Sequence, residues 1–78
     1  MTRVTETIEG EEAILAALVR CIKEALSFRI VIENGTEYLF GVCFRIEHGA
    51  VYGRCPNGQS TGVTIMYARR LEILEPAT

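Results

Sequence analysis

From Glu11 to Leu26 the apolar residues Ile14, Leu15, Leu18, Cys21, Ile22, Ala25 and Leu26 recur at steps of three and four. That is the period of a helix with one buried stripe. Glu12, Arg20, Lys23 and Glu24 fall on the other side and face water. Glu9, Glu11 and Glu12 suit the positive end of the helix dipole, and Thr7 is the candidate cap. After Ser27 the period changes to two. Phe28, Ile30 and Ile32 alternate with Arg29, Val31 and Glu33 in a first strand that ends at Asn34-Gly35, a strong hairpin signal because both residues tolerate positive φ.

A second strand is expected from Glu37 to Ile46, with Tyr38, Phe40, Val42, Phe44 and Ile46 on one face and Leu39, Gly41, Cys43 and Arg45 on the other. Gly41 removes a side chain where a long strand would bend. Glu47-His48-Gly49 then turns into a third strand, Ala50 to Cys55. Pro56-Asn57-Gly58 sets a tight turn and opens a polar loop through Gln59, Ser60, Thr61 and Gly62. Val63 to Ala68 reads as the fourth strand, Arg69-Arg70 as an interruption, and Leu71 to Leu74 as a short fifth strand before Pro76. The pattern predicts an α+β domain, an N-terminal helix packed on a strongly bent, five-stranded antiparallel sheet. The domain spans residues 9–75, between an N-terminal tail of residues 1–8 and a C-terminal tail of residues 76–78.

A chain of 78 residues has room for one hydrophobic core. Its 49% apolar and 23% charged residues exclude a disordered composition. A core of this size leaves roughly 3–5 kcal/mol of stability, so self-association is expected to add to it. The cysteines, Cys21, Cys43 and Cys55, are odd in number and form no CxxC pair, which favours buried thiols in a reducing cytoplasm. Residues 1–10 lack the apolar run of a signal peptide, and no stretch has the roughly 20 apolar residues of a membrane span, so no membrane partner is expected. The net charge of -2 provides no bulk attraction to nucleic acid; binding there would need a local basic patch.

No motif has the spacing of a catalytic, metal or cofactor site. His48 is the sole histidine, and Glu47 beside it would point the other way in an extended chain, so it reads as an exposed turn residue. Ser27, Ser60 and the cysteines lack the flanking pattern of an activated nucleophile. The Gly58-Gln59-Ser60-Thr61-Gly62 stretch lacks the lysine and helix of a phosphate loop and reads as a hairpin connection. Arg45, Arg54, Arg69 and Arg70, with Tyr52, Tyr67 and His48 nearby, are the residues from which a surface for a partner or for nucleic acid could be assembled. Single strands are bound by charge along the backbone and rings beneath the bases. Tyr52 and Arg54 share a face if the third strand alternates; the plainer reading is scattered surface arginines with half-buried tyrosines.

A helix leading into five short, bent strands, with Asn34-Gly35 closing the first hairpin and Gly41 six residues later, resembles the Sm-like, SH3-type small barrel over roughly Glu11 to Leu74. Within that superfamily the order is also similar to the Rof-like Rho inhibitors and the core of WYL domains, with Arg69-Arg70-Leu71-Glu72-Ile73 in the place of the closing strand. The resemblance implies a barrel that binds proteins, copies of itself, or RNA. Sm proteins that bind uridine-rich RNA carry an acidic residue and then an asparagine in the turn after their second strand, and an arginine-glycine pair between their last two strands. Here those places hold Glu47-His48-Gly49-Ala50-Val51 and Arg69-Arg70-Leu71, so that base pocket does not carry over.

Apolar residues lie on both faces of the second strand, so either the helix covers them all or part of that surface meets a partner or another copy, and an open strand edge would accept an added strand. The first expectation is therefore a small, non-enzymatic interaction module, regulatory in role, that binds a protein partner or itself. The alternative is a single-stranded nucleic-acid-binding barrel; a small-ligand or enzymatic role is the weakest reading.

Overall fold

The computed structural model describes residues 3–75, with the backbone alone for residues 42–44. The chain runs β1 (Val4–Glu9), α1 (Glu11–Glu24), β2 (Phe28–Ile32), β3 (Glu37–Phe40), β4 (Val42–Glu47), β5 (Ala50–Arg54), β6 (Ser60–Thr64), a 3-10 turn η1 (Ile65–Tyr67) and β7 (Ala68–Leu74). It is α+β, and all its strand pairs are antiparallel. In place of one five-stranded sheet there are two sheets, ordered β1-β7-β2-β3 and β4-β5-β6.

Three further expectations are corrected. Val4–Glu9 forms β1, although residues 4–8 were expected within a tail, and it pairs with β7 from Val4 opposite Leu74 to Glu9 opposite Arg70. Four of its six residues are β-branched, which suits a pleated, half-buried edge. Val63 to Ala68 is not one strand. β6 ends at Thr64, and the chain turns through η1. Arg69-Arg70 does not interrupt the last strand either: β7 is continuous, and the ladder with β2 steps from Ile32 opposite Ala68 to Val31 opposite Arg70, leaving Arg69 as the extra residue of a bulge.

The long second strand is divided at Gly41 between the two sheets: β3 pairs with β2, while the Gly41 N–H donates to the Arg54 carbonyl at 2.8 Å and β4 pairs with β5. The Ser27 hydroxyl donates to the Gly41 carbonyl at 3.1 Å and fastens the corner. The expected faces of Val42, Cys43 and Phe44 lie outside the described side chains.

The three hairpin turns divide differently from expectation. Asn34-Gly35 lies in a three-residue connection in which Gly35, at φ 88°, donates to the Ile32 carbonyl, and the Asn34 side chain accepts from the Thr36 N–H at 2.9 Å. Pro56-Asn57-Gly58 repeats this design: Gly58, at φ 95°, donates to the Cys55 carbonyl, and Asn57 accepts from the Gln59 N–H at 3.0 Å. The two-residue turn with both residues at positive φ falls instead on His48 (52°) and Gly49 (74°), between Glu47 and Ala50.

Gly10 alone connects β1 to α1, at φ 95°, and its carbonyl accepts the first helical bond from the Ile14 N–H at 2.8 Å. Thr7 is paired with Glu72 in the sheet and caps nothing. At the other end Ala25 adopts a left-handed conformation (φ 55°), and the Leu26 N–H returns to the Cys21 carbonyl at 2.9 Å. Ala25 thus belongs to the cap and not to the apolar stripe. Arg20 hydrogen-bonds Glu6 and ties α1 to β1; that bond holds its guanidinium above the usual arginine range.

Ile14, Ala17, Leu18 and Cys21 of α1 bury against Phe28, Ile30, Phe40, Val51, Val63, Leu71 and Ile73 from both sheets and Ile65 of η1. Phe28 and Phe40 face each other across the β2–β3 ladder with ring centroids 4.7 Å apart, adding aromatic stacking to area burial. Cys21 is fully buried and Cys55 half-buried; the side chain of Cys43 lies outside the described residues. No helix among the described residues is long and apolar enough to cross a membrane.

Candidate functional site

The seven residues singled out from the sequence separate into three places. Arg45, Tyr52 and Arg54 belong to the three-stranded sheet. Val51, Gly53 and Val63 point inward, so alternation along β5 and β6 turns Tyr52, Arg54, Ser60 and Thr64 outward. A register shift in β4 sets Arg45 opposite Tyr52, and the guanidinium carbon stands 5.3 Å from the tyrosine ring centroid, within cation–π range. The ring lies across Gly62 of the next strand, where a Cβ would stand only 3.0 Å from Tyr52 Cδ1. Arg45, Tyr52, Gly53, Ser60 and Thr61 line a hollow of about 450 Å³. Arg45 Nε also lies 3.2 Å from Glu47, which offsets part of its charge.

Arg70 lies on the four-stranded sheet, in a ladder of alternating charge. Arg29 hydrogen-bonds Glu72 at 2.6 Å and reaches Glu37 at 3.7 Å, while Arg70 Nε lies 3.5 Å from the other oxygen of Glu72. Neighbouring strands set these pairs side by side, so the ladder fixes register as much as it presents charge. Arg69 is exposed at the bulge one residue away, and Tyr67 is exposed at the end of η1, its carbonyl accepting from the Glu33 N–H at 3.1 Å. Arg69 and Arg70 thus stand on the four-stranded sheet and Tyr67 at the end of η1, whereas Arg45 and Tyr52 stand on the three-stranded sheet.

His48 sits at the opposite end of β5 from Arg54, with Nδ1 3.5 Å from Glu47 and its side chain exposed. It borders a groove of about 160 Å³ between the start of α1 and η1, which Glu11, Leu15, Thr64, Ile65 and Met66 complete. This groove has an apolar rim that the sequence reading did not identify: Leu15 is 36% exposed and Met66 65%. Val19, one helical turn beyond Leu15, is 58% exposed. Leu15 had been assigned to the buried stripe, but at about 100° per residue it stands well away from the centre defined by Ile14, Ala17, Leu18 and Cys21. The same angular reckoning places Val19 opposite the core and would have marked it from sequence. Met66 carried no such signal, because its exposure follows from the unforeseen 3-10 turn.

Among the described residues, no group of three or more His, Cys, Asp or Glu side chains converges in a metal-holding arrangement. Comparison with protein-family models, with curated proteins and with solved structures gave no match to this chain.

Proposed function

We propose that this chain is a small, non-enzymatic interaction module that docks a protein partner on the apolar surface formed by Leu15, Val19 and Met66. The observation that carries the reading is the continuity of that surface: three large apolar side chains, exposed by 36%, 58% and 65%, extend from the groove beside η1 along one side of α1. Isolated exposed apolar residues are ordinary, whereas neighbouring ones rimmed by Glu11, Glu12 and His48 resemble a docking patch. The scaffold is read as a small Sm-like barrel. Its support is the shared bent run through Gly41, the 3-10 turn before the last strand, and the return of β7 to pair with β2. The odd number of cysteines supports a cytoplasmic setting.

Photo-crosslinking from position 66, with position 57 at a distant hairpin turn as control, tests the reading. A discrete adduct is expected from position 66 only. Its identified partner, reconstituted from purified components, should lose at least about tenfold in affinity on Met66→Glu, which puts a charge into an apolar contact. Equal adducts from both positions, or none, would overturn it.

A second reading, single-stranded nucleic-acid binding on the three-stranded sheet, is favoured by the Arg45–Tyr52 pair beside its hollow. Fluorescence anisotropy with a short labelled RNA should then show affinity falling steeply with salt, and its loss in folded Arg45→Ala and Tyr52→Ala variants. Unchanged binding in those variants would remove the sheet from consideration.

A further inference from the structure

The outward face of α1 identifies the partner further. Four residues stand directly opposite the buried stripe of Ile14, Ala17, Leu18 and Cys21: Glu12, Ala16, Val19 and Lys23, at successive steps of four, three and four. All four are exposed. They read, from end to end, acidic, small, apolar, basic. Leu15 and half-buried Ile22 flank this row on one side and continue it toward Met66; Arg20 flanks the other side, occupied with Glu6 and Glu24. Among the described residues no ion pair within the chain engages Glu12 or Lys23.

A row with opposite charges at its ends is complementary to itself when turned around. We propose that the occupant of this surface is a second copy of this chain, with the two α1 helices packed antiparallel about a two-fold axis lying between Ala16 and Val19. The inference rests on the reading of the helix surface as a docking site and names its partner. A two-fold contact is isologous, so Glu12 meets the partner's Lys23 and Lys23 meets the partner's Glu12, while Ala16 and Val19 interlock between them. Ala16 lets the helix backbones approach. The Leu15 and Ile22 flanks face each other on one side of the seam and remove further apolar surface from water. A parallel pairing would oppose Glu12 with Glu12 and Lys23 with Lys23, so the charges also select orientation.

Light scattering across roughly two decades of concentration should show the mass rising from 8.7 kDa toward twice that value. Val19→Glu should keep it at the monomer mass. Glu12→Lys and Lys23→Glu should each weaken association, and the two combined should restore it, since the pairing is then reversed intact. If either reversal impairs folding by circular dichroism, Glu12→Gln and Lys23→Gln should still weaken association on the order of fivefold, the scale of two exposed ion pairs. A monomer at every concentration, or a dimer indifferent to all these changes, overturns the self-pairing. Crosslinking from position 66 separates that failure from failure of the docking surface: an adduct with a different protein retains the surface and rejects the second copy, and no adduct rejects both.

Discussion

At the scale of single residues, glycines and left-handed backbone positions give the clearest expectations. Gly41 was legible as a bend, but its reason is more local than a concave sheet. A Cβ there would stand 3.2 Å from both N and Cα of Pro56, and a rigid turn cannot swing away as a side chain can. Gly41→Ala is therefore expected to cost about 1–3 kcal/mol and Gly41→Val more, read as a lower urea midpoint; an unchanged midpoint would show that the turn yields. Gly62 makes the contrast, because the atom in its way belongs to the half-exposed Tyr52 ring. Ala25 is the converse case: an alanine in left-handed backbone costs roughly 1 kcal/mol that glycine would not. Ala25→Gly should raise the thermal midpoint, and a lower one would mean that the alanine methyl packs more than its conformation costs. Alanine does not announce positive φ, and histidine does so far less than glycine, which is why Ala25 and His48 were missed while Gly35 was not.

At the scale of elements, legibility followed the length and regularity of the apolar period. α1 and the paired segments that became β2 and β5 were readable because each has a repeated step of three to four, or of two, over a full element. β1 was not, since Val4 and Ile8 are its only apolar residues and its place in the sheet is decided by the distant edge of β7. The split of Val63 to Ala68 into strand and 3-10 turn was equally hidden, because a three-residue turn has no period of its own. The candidate surfaces inherited these limits: the Tyr52–Arg54 face followed from alternation, whereas Met66 depended on η1. Removing residues 1–9 tests what β1 contributes. The Thr5 hydroxyl bond to the Ile73 carbonyl, the Arg20–Glu6 link and the whole β1 ladder would go, leaving the β7 edge unpaired. A lower unfolding temperature together with increased aggregation is expected, measured by circular dichroism and light scattering. A truncated chain as stable and soluble as the parent would show that the four-stranded sheet is complete without its edge.

At the scale of the whole molecule, one core serves two sheets and a helix, and Gly41 passes a single run of chain from one sheet to the other. Pairing of β1 with β7 also brings the first and last strands side by side. Val4 stands opposite Leu74, the Glu75 N–H donates to the Arg3 carbonyl at 2.7 Å, and Arg3 and Glu75 lie 3.9 Å apart. Entry and exit are therefore separated by one strand spacing, about 5 Å. The domain can be treated as a cassette: spliced into a surface loop of a host protein, it would ask the host ends to part by no more than that spacing. Joined end to end through a short linker and reopened between Asn34 and Gly35, the permuted chain should regain the same fold, and its melting curve would measure how much of the molecule's order depends on where the chain happens to begin.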